Sequence, residues 1–359
     1  MAGGISNYSR KLFRPAQPAA CCVRAVDIDG DGDPDLFVGG REIPGKYPLY
    51  SPSHIYINDG SGHFTDATAA WSGELAHLGI VTDAAWVDVN GDGTPDLVVA
   101  GEWMPVKVFL NDRHRLTDAS SSWVGFPSSG WWNRMLVSDL NGDGRPDLVL
   151  GNYGWNSPLK TSAAEPIRLY AADFDGNGII DPILTCYNNH VDYPFMPMDD
   201  MLRQVPSLKK KFYAYETYAG AKVSDVIAAD KPVTPLSATT FSTCWLENTG
   251  KGFVYHELPV EAQYAPVYAL AAADLNGDGH TDLVLCGNQE NNLIRLGRDD
   301  ANHGVVLLGD GKGGFRYAPP AVTGLSLRGE VRGLVTVGDF LFVGINGQSI
   351  RAYRREPSR

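Results

Sequence analysis

The chain has 359 residues, with 43% hydrophobic and 20% charged content, which excludes a disordered protein and fits a soluble globular one. Its formal net charge of −12 argues against nucleic acid and anionic membranes as partners. No stretch approaches the ~20 apolar residues of a membrane span, so no membrane insertion is expected.

The first residues, MAGGISNYSRKLF, lack the apolar core of a signal peptide. A cytoplasmic chain and a mature or truncated form of an exported one both fit. Residues 1–18 read as a closing strand. From there the chain repeats itself. An Asp-rich loop starts at Asp27 (DIDGDGDPDL) and recurs at Asp88 (DVNGDGTPDL), Asp139 (DLNGDGRPDL), Asp173 (DFDGNGIIDP) and Asp274 (DLNGDGHTDL), at intervals of 61, 51, 34 and 101 residues. A short apolar run precedes each loop: Val23–Val26, Ala84–Val87, Met135–Val137, Ile167–Ala171 and Val267–Ala273. Another follows it: Leu36–Val38, Leu97–Ala100, Leu148–Leu150, Ile183–Leu184 and Leu283–Leu285. These runs are too short for helices and rich in Val, Leu and Ile, so they read as buried strands. Gly-rich turns at Asn58 (NDGSGHF), Asn248 (NTGKGF) and Gly309 (GDGKGGF), with a weaker copy at Asn111 (NDRHRL), read as hairpins.

Strand, Asp loop, strand, variable connection, strand, Gly turn and strand make one four-stranded propeller blade. The expected fold is all-β, a β-propeller of six or seven blades in one domain over 1–359. Blades are placed at 20–68, 76–119, 130–165, 166–258 and 264–317, with a loop-less unit at 328–355. Residues 190–240 form a partly helical insertion, because Met201, Leu202, Val205, Leu208 and Phe212 recur at helical spacing. None of the five cysteines (Cys21, Cys22, Cys186, Cys244, Cys286) sits in a CxxC pair. They read as small buried residues, with a disulfide left open.

The five loops share fixed and free positions. Position 1 is Asp27, Asp88, Asp139, Asp173 and Asp274; position 3 is Asp29, Asn90, Asn141, Asp175 and Asn276. Position 5 is Asp31, Asp92, Asp143, Asn177 and Asp278; position 9 is Asp35, Asp96, Asp147, Asp181 and Asp282. Positions 4 and 6 are always Gly, while position 7 varies: Asp33, Thr94, Arg145, Ile179 and His280. Side-chain oxygens at 1, 3, 5 and 9 with a backbone carbonyl at 7 suit a hard cation such as Ca2+. The absence of Glu at position 12, and of an exiting helix, sets these loops apart from EF-hands. The loops hold 17 of the 42 Asp and Glu residues, so five divalent cations, +10 in all, would leave a net charge of about −2. About five structural Ca2+ ions are therefore expected.

The DxDGDGxxDL loops resemble the FG-GAP/VCBS repeats of integrin-type propellers. The chain is also similar to the bacterial exported repeat proteins of the ASPIC/UnbV-associated group. That likeness rests on DLFVGGREIPGKYP from Asp35, GEWMP from Gly101, GWWN from Gly130, GNYGWNS from Gly151, YAADFDGNGIIDPILT from Tyr170, PSLKKKF from Pro206 and GVVLLGDGKGGF from Gly304. The resemblance implies a calcium-binding propeller that is exported or on the cell surface, and no particular reaction.

Blade topology puts the Asp loops and Gly turns at one end of the strands and the variable connections at the other. Those connections carry Arg41, Glu42, Glu102, Trp103, Asn152, Tyr153, Trp155 and Asn156, with Trp131, Trp132 and Asn133 in the link entering the third blade. Aromatics interleaved with Asn, Arg and Glu suit a glycan or a protein ligand. The chain is expected to be a monomeric surface binding module. The alternative is a polysaccharide-active lyase or glycosidase using the same face, with Glu42 and Glu102 as acids. No GxSxG, HExxH or P-loop is present.

Overall fold

The computed structural model describes residues 19–227 and 233–356, so the strand expected over 1–18 lies outside the described residues. In the first sheet, β1 (Ala20–Val26), β2 (Asp35–Gly40), β3 (His54–Asn58) and β4 (Phe64–Asp66) pair antiparallel in chain order. The second repeats the plan with β5 (Ile80–Val87), β6 (Asp96–Met104), β7 (Lys107–Asn111) and β8 (Leu116–Asp118). A two-residue strand, β9 (Gly130–Trp131), joins the far end of β6. Strands β10 (Arg134–Ser138) and β11 (Asp147–Gly151) begin a third sheet. The chain then leaves for a separate sheet of β12 (Ile167–Ala172), β13 (Asp181–Asn188), β14 (Val191–Pro194) and β15 (Leu236–Ala238), ordered β14-β13-β12-β15. It returns as β16 (Cys244–Asn248) and β17 (Phe253–Glu257), which complete the third sheet. Strands β18 (Val267–Ala273), β19 (Asp282–Gly287), β20 (Val305–Gly309) and β21 (Phe315–Ala318) form the fifth sheet, and β22 (Val331–Val337), β23 (Phe340–Ile345) and β24 (Arg351–Arg354) the sixth.

The apolar runs of β6, β11 and β19 are continuous because both faces of their sheets are covered, whereas the sixth sheet leaves Val335, Val337, Phe340 and Phe342 exposed. In β6, Leu97 and Val99 point to the first sheet, onto Phe37 and Ile55. Val98 and Ala100 point the other way, onto Leu148 and Leu150. In β11 the alternation continues, with Val149 packed on Leu283 and Leu285 of β19. On the other side of β19, Val284 and Cys286 meet Leu341 and Val343. Strands β1, β5, β10, β18 and β22 touch in that succession. Antiparallel four-stranded sheets stacked face to face in this order are consistent with a propeller.

One expectation is corrected here. The sequence places blades at 130–165 and 166–258, but β16 pairs with β11, through Leu148↔Leu246 and Leu150↔Cys244. The third sheet is therefore interrupted between its second and third strands by residues 152–243, and the fourth Asp loop belongs to the interrupting sheet. The insertion is thus longer than 190–240 and carries its own β-structure. Its helical part lies over Met198–Gln204, Tyr215–Tyr218 and Val223–Val226, where Met201, Phe212 and Val226 pack on Ile183 of β13. All five cysteines are free, with Cys22, Cys244 and Cys286 buried.

Candidate functional site

At one end of the sheets each Asp loop folds by the same rule. The position-1 carboxylate accepts backbone N–H groups from positions 4 and 6, as Asp27 does from Gly30 at 2.7 Å and Gly32 at 3.0 Å. Asp88, Asp139, Asp173 and Asp274 do likewise. Both glycines are left-handed in every copy, for example Gly91 at φ 77° and Gly93 at φ 83°, which explains why no side chain occupies those positions. Position 9 is buried and works differently. Asp96 accepts the N–H of Val89 at 3.1 Å and that of Asn111, at the end of the third strand, at 2.8 Å. Asp35, Asp147 and Asp282 make the same pair of bonds. Burial pushes the Asp96 and Asp147 carboxyls up to about 6.

Oxygens of Asp27, Asp29 and Asp35 lie within 4.8 Å of one another, as do those of Asp173, Asp175 and Asp181. A hard cation takes such all-oxygen sets, so the donors fit Ca2+ in kind and spacing. The second, third and fifth loops carry Asn at position 3, so their three carboxylates stand at positions 1, 5 and 9 rather than at 1, 3 and 9 as in the fourth. In the third, Arg145 already pairs with Asp143 and donates to the Asn248 carbonyl at 2.8 Å.

Asparagines at the ends of third strands fasten neighbours together. Asn111 Nδ2 donates to Ile28 O of the first loop at 3.0 Å, and Asn248 Nδ2 to Val89 O of the second at 3.0 Å. The latter bond is the second sign that β16 belongs beside the second sheet.

At the opposite end, connections from the first, second, third and fifth sheets converge on a cavity of about 210 Å3. Tyr47, Glu102, Trp131, Asn133, Tyr153, Tyr268, Gln289, Asn292 and Leu296 line it. Arg41 holds Glu102 at 2.6 Å and Glu42 at 2.7 Å. Tyr47 Oη donates toward Glu102 at 3.4 Å and accepts Trp103 Nε1–H at 2.6 Å. Burial raises the Glu102 pKa, against the pull of Arg41. The rings form a chain: Trp103 to Trp131 at 4.8 Å, Trp131 to Tyr153 at 4.9 Å, and Trp131 to Phe241 of the inserted segment at 4.9 Å. Behind Tyr153, its hydroxyl donates to Asp299 at 3.3 Å. Two buried donors of lining residues, Trp131 Nε1 and Asn133 Nδ2, have no hydrogen-bond partner and are shielded from the cavity. Each such group costs roughly 1–3 kcal/mol while unmatched.

The expected ligand-face residues thus separate. Arg41, Glu42, Glu102, Trp131, Asn133 and Tyr153 come together around the cavity. Trp103 is 5% exposed and serves as a packed wall behind it. Trp132 is a correction: at 1% exposure it lies in the core between the second and third sheets, its Nε1 bonded to Ser128 O. Neighbouring residues of an extended segment point to opposite sides, so Trp131 and Trp132 cannot share a face. Asn152 is a second correction, fully buried with its amide donating to Thr240 O and Ser242 O. Trp155 faces a different hollow, of about 420 Å3, beside Phe126, Tyr255 and Glu257, and Asn156 is exposed. Sequence reasoning missed Tyr47, Tyr268, Asn292 and Leu296. Gln289 stands in the fifth sheet's variable connection, which was a usable signal. Tyr268 sits in a bulge of β18, for which the sequence offers none.

Comparison with known proteins follows the same lines. Residues 27–99 and 88–150 match the FG-GAP-like repeat, and residues 266–307 the FG-GAP repeat. The inserted sheet lies outside both matched segments. The human phosphatidylinositol-glycan-specific phospholipase D is 25% identical over 175 residues, which cover 44% of this chain and 20% of that protein. The human T-cell immunomodulatory protein is 27% identical over 264 residues, covering 64% of this chain and 42% of that one. The chain therefore spans less than half the length of these curated relatives. Among solved structures, an Agrocybe aegerita lectin that recognises non-reducing terminal N-acetylglucosamine aligns over 85% of this chain and 66% of its own, at 16% identity and TM-score 0.29. A rhamnogalacturonan lyase aligns over 94% and 56%, at 11% identity and TM-score 0.36. At these scores neither likeness bears on function. The repeats stand on the sequence matches and on the shared loop geometry: the chain carries FG-GAP repeats over residues 27–150 and 266–307.

Proposed function

We propose that the protein is a calcium-stabilised binding module of the cell exterior, and that it recognises a glycan through the cavity opposite the Asp loops. The observation that carries this reading is the cavity itself, walled by the rings of Tyr47, Trp131, Tyr153 and Tyr268 with a few polar side chains among them. Aromatic walls with a small number of polar groups are the common make-up of small-ligand sites, and flat rings suit the apolar face of a sugar. Calcium at the loops rests on the three-carboxylate sets and the repeated donor pattern. Placement outside the cell, and kinship with the ASPIC/UnbV-associated group, rest on the sequence resemblance. Among the described residues, no helix is long and apolar enough to cross a membrane.

The lining counts against a hydrolase. Glycosidases use two carboxylates about 5–9.5 Å apart across the scissile bond, and this cavity is lined by one, Glu102. As a lyase base Tyr47 is poorly placed, because burial and the neighbouring Glu102 raise its pKa. An immobilised glycan panel tests the reading, with reducing-end release monitored in parallel. Binding without product, weakened in Asn133→Ala, is expected. Turnover lost in Glu102→Gln would replace the module by an enzyme.

A further inference from the structure

We propose that Cys21 and Cys22 together form a two-sulfur site for one soft monovalent ion of the Cu(I) kind, at the opposite end of β1 from its Asp loop. In a regular strand, neighbouring side chains point to opposite sides. Here the pairing of β1 with β2 slips by one residue between Ala20 and Cys22, so Cys21 is the extra residue of a β-bulge. The bulge turns both thiols to one side. A Cβ on Gly39 would meet Cys22 Sγ at 2.8 Å and Cys21 Sγ at 3.2 Å, so the two sulfurs crowd one small space that is open because residue 39 has no side chain. Ala100 and Cys286 stand at the matching place in the second and fifth sheets. The matching bulge residue in β18 is Tyr268, which lines the cavity, so Cys21 lies at that same end of the sheets.

The pair differs from the other thiols. Cys244 and Cys286 are buried in separate clusters, and burial pushes the Cys286 thiol up to about 12. Cys21 and Cys22 hydrogen-bond each other, which pushes Cys21 up and holds Cys22 below the ordinary thiol range. Cys22 is buried, but Cys21 is partly exposed and gives an ion a way in. The donor count then selects the ion. Among the described residues, no third His, Cys, Asp or Glu joins the pair in a set close enough to share a metal. Asp83, the carboxylate that acts on both sulfurs, is held by Arg24 and by Arg134 at 3.4 Å, and accepts the Met135 N–H at 2.9 Å. Zn2+ would lack half of its usual tetrahedral set, and Ca2+ takes oxygen ligands. Thiolates select soft ions, Cu(I) among them. A disulfide is the poorer closure, because adjacent Cα atoms lie about 3.8 Å apart, short of the roughly 4.4–6.8 Å that disulfides usually span.

The test uses the full chain, reduced and kept anaerobic in calcium-containing buffer, titrated with Cu(I) against the chelator bicinchoninate and followed by native mass spectrometry. One Cu(I) per chain should be retained, with no comparable uptake of Zn2+. Cys21→Ser and Cys22→Ala should each weaken retention by roughly a hundredfold or more, whereas Cys186→Ser, which removes a thiol outside the pair, should leave it unchanged. Melting curves report whether each variant folds; if Cys22→Ala does not, Cys21→Ser at its partly exposed position decides alone. Cu(I) that is lost to the chelator, or that stays bound equally well in Cys21→Ser, would overturn the site. So would preferential uptake of Zn2+. A chain that recloses a Cys21–Cys22 disulfide after mild reduction and takes up no Cu(I) would also overturn it, and would make the pair a redox element instead.

Discussion

Asn248 and Asn58 occupy the same place in their sheets, yet they do different work. Each accepts the N–H two residues on, Gly250 or Gly60, but Asn248 Nδ2 reaches the neighbouring sheet at Val89, whereas Asn58 Nδ2 reaches only Pro34 of its own. Asn248→Ala should therefore cost about 1–3 kcal/mol, and Asn58→Ala clearly less, in urea titrations. Equal costs would mean that the link between sheets contributes nothing. Trp132→Ala should cost about 3–5 kcal/mol as a core truncation and leave ligand affinity per folded molecule intact. Asp299 supplies a pH dependence. Burial raises its pKa above 3.8, so its contribution to stability is full below the unfolded value and is lost as pH rises through the folded one. Asp299→Asn should consequently gain on the parent as pH rises above 3.8, as read by melting temperature at each pH; a gap that stays constant would contradict this. At this scale the loop residues were legible, because five copies display their fixed positions side by side. Trp131 and Trp132 were not separable, because a one-residue step reverses the side of the sheet and no repeat fixes that phase.

The hairpin around each loop was legible too, since the apolar runs flanking a loop pair with each other in all five cases. What failed was the partner of the third sheet. Assigning the Asn248 turn to the nearest preceding loop follows the general preference for pairing sequential strands. A signal was present nonetheless: the third and fourth loops start only 34 residues apart, too few to hold two further strands, a turn and a connection. Because Leu150 and Cys244 face each other in adjacent strands, the ends of the inserted segment are already together. Replacing residues 152–243 by a short Gly-Ser turn should therefore leave a folded β-protein with a cooperative melt. It should also abolish ligand binding, since Tyr153 and the Phe241 backing are removed. A molten or aggregated product would show instead that the inserted sheet is needed for the others to stack.

Across the whole molecule the two ends of the sheets have separate tasks, and cation binding should be felt in the fold before it is felt in the pocket. Each loop in the stacked sheets is tied to a third strand through its position-9 Asp, and the loops of the first two are tied to the next sheet through Asn111 and Asn248. If the loops hold cations as proposed, losing one would leave carboxylates crowded and loosen contacts that span sheets, so the effect would not be confined to one turn. Stabilisation by a bound ion grows as RT ln(1 + [L]/Kd), about 2.7 kcal/mol per site at a hundredfold excess over Kd. EGTA should therefore lower the melting temperature substantially, and added Ca2+ should restore it in a concentration-dependent way. The first and fourth loops, with three converging carboxylates each, should fill before the others, so that removing 152–243 deletes one of the tighter sites. Elemental analysis and calcium titration of both chains measure this. A protein free of metal as purified, with a melt that neither EGTA nor Ca2+ moves, would leave the loops as plain Asp-Gly turns.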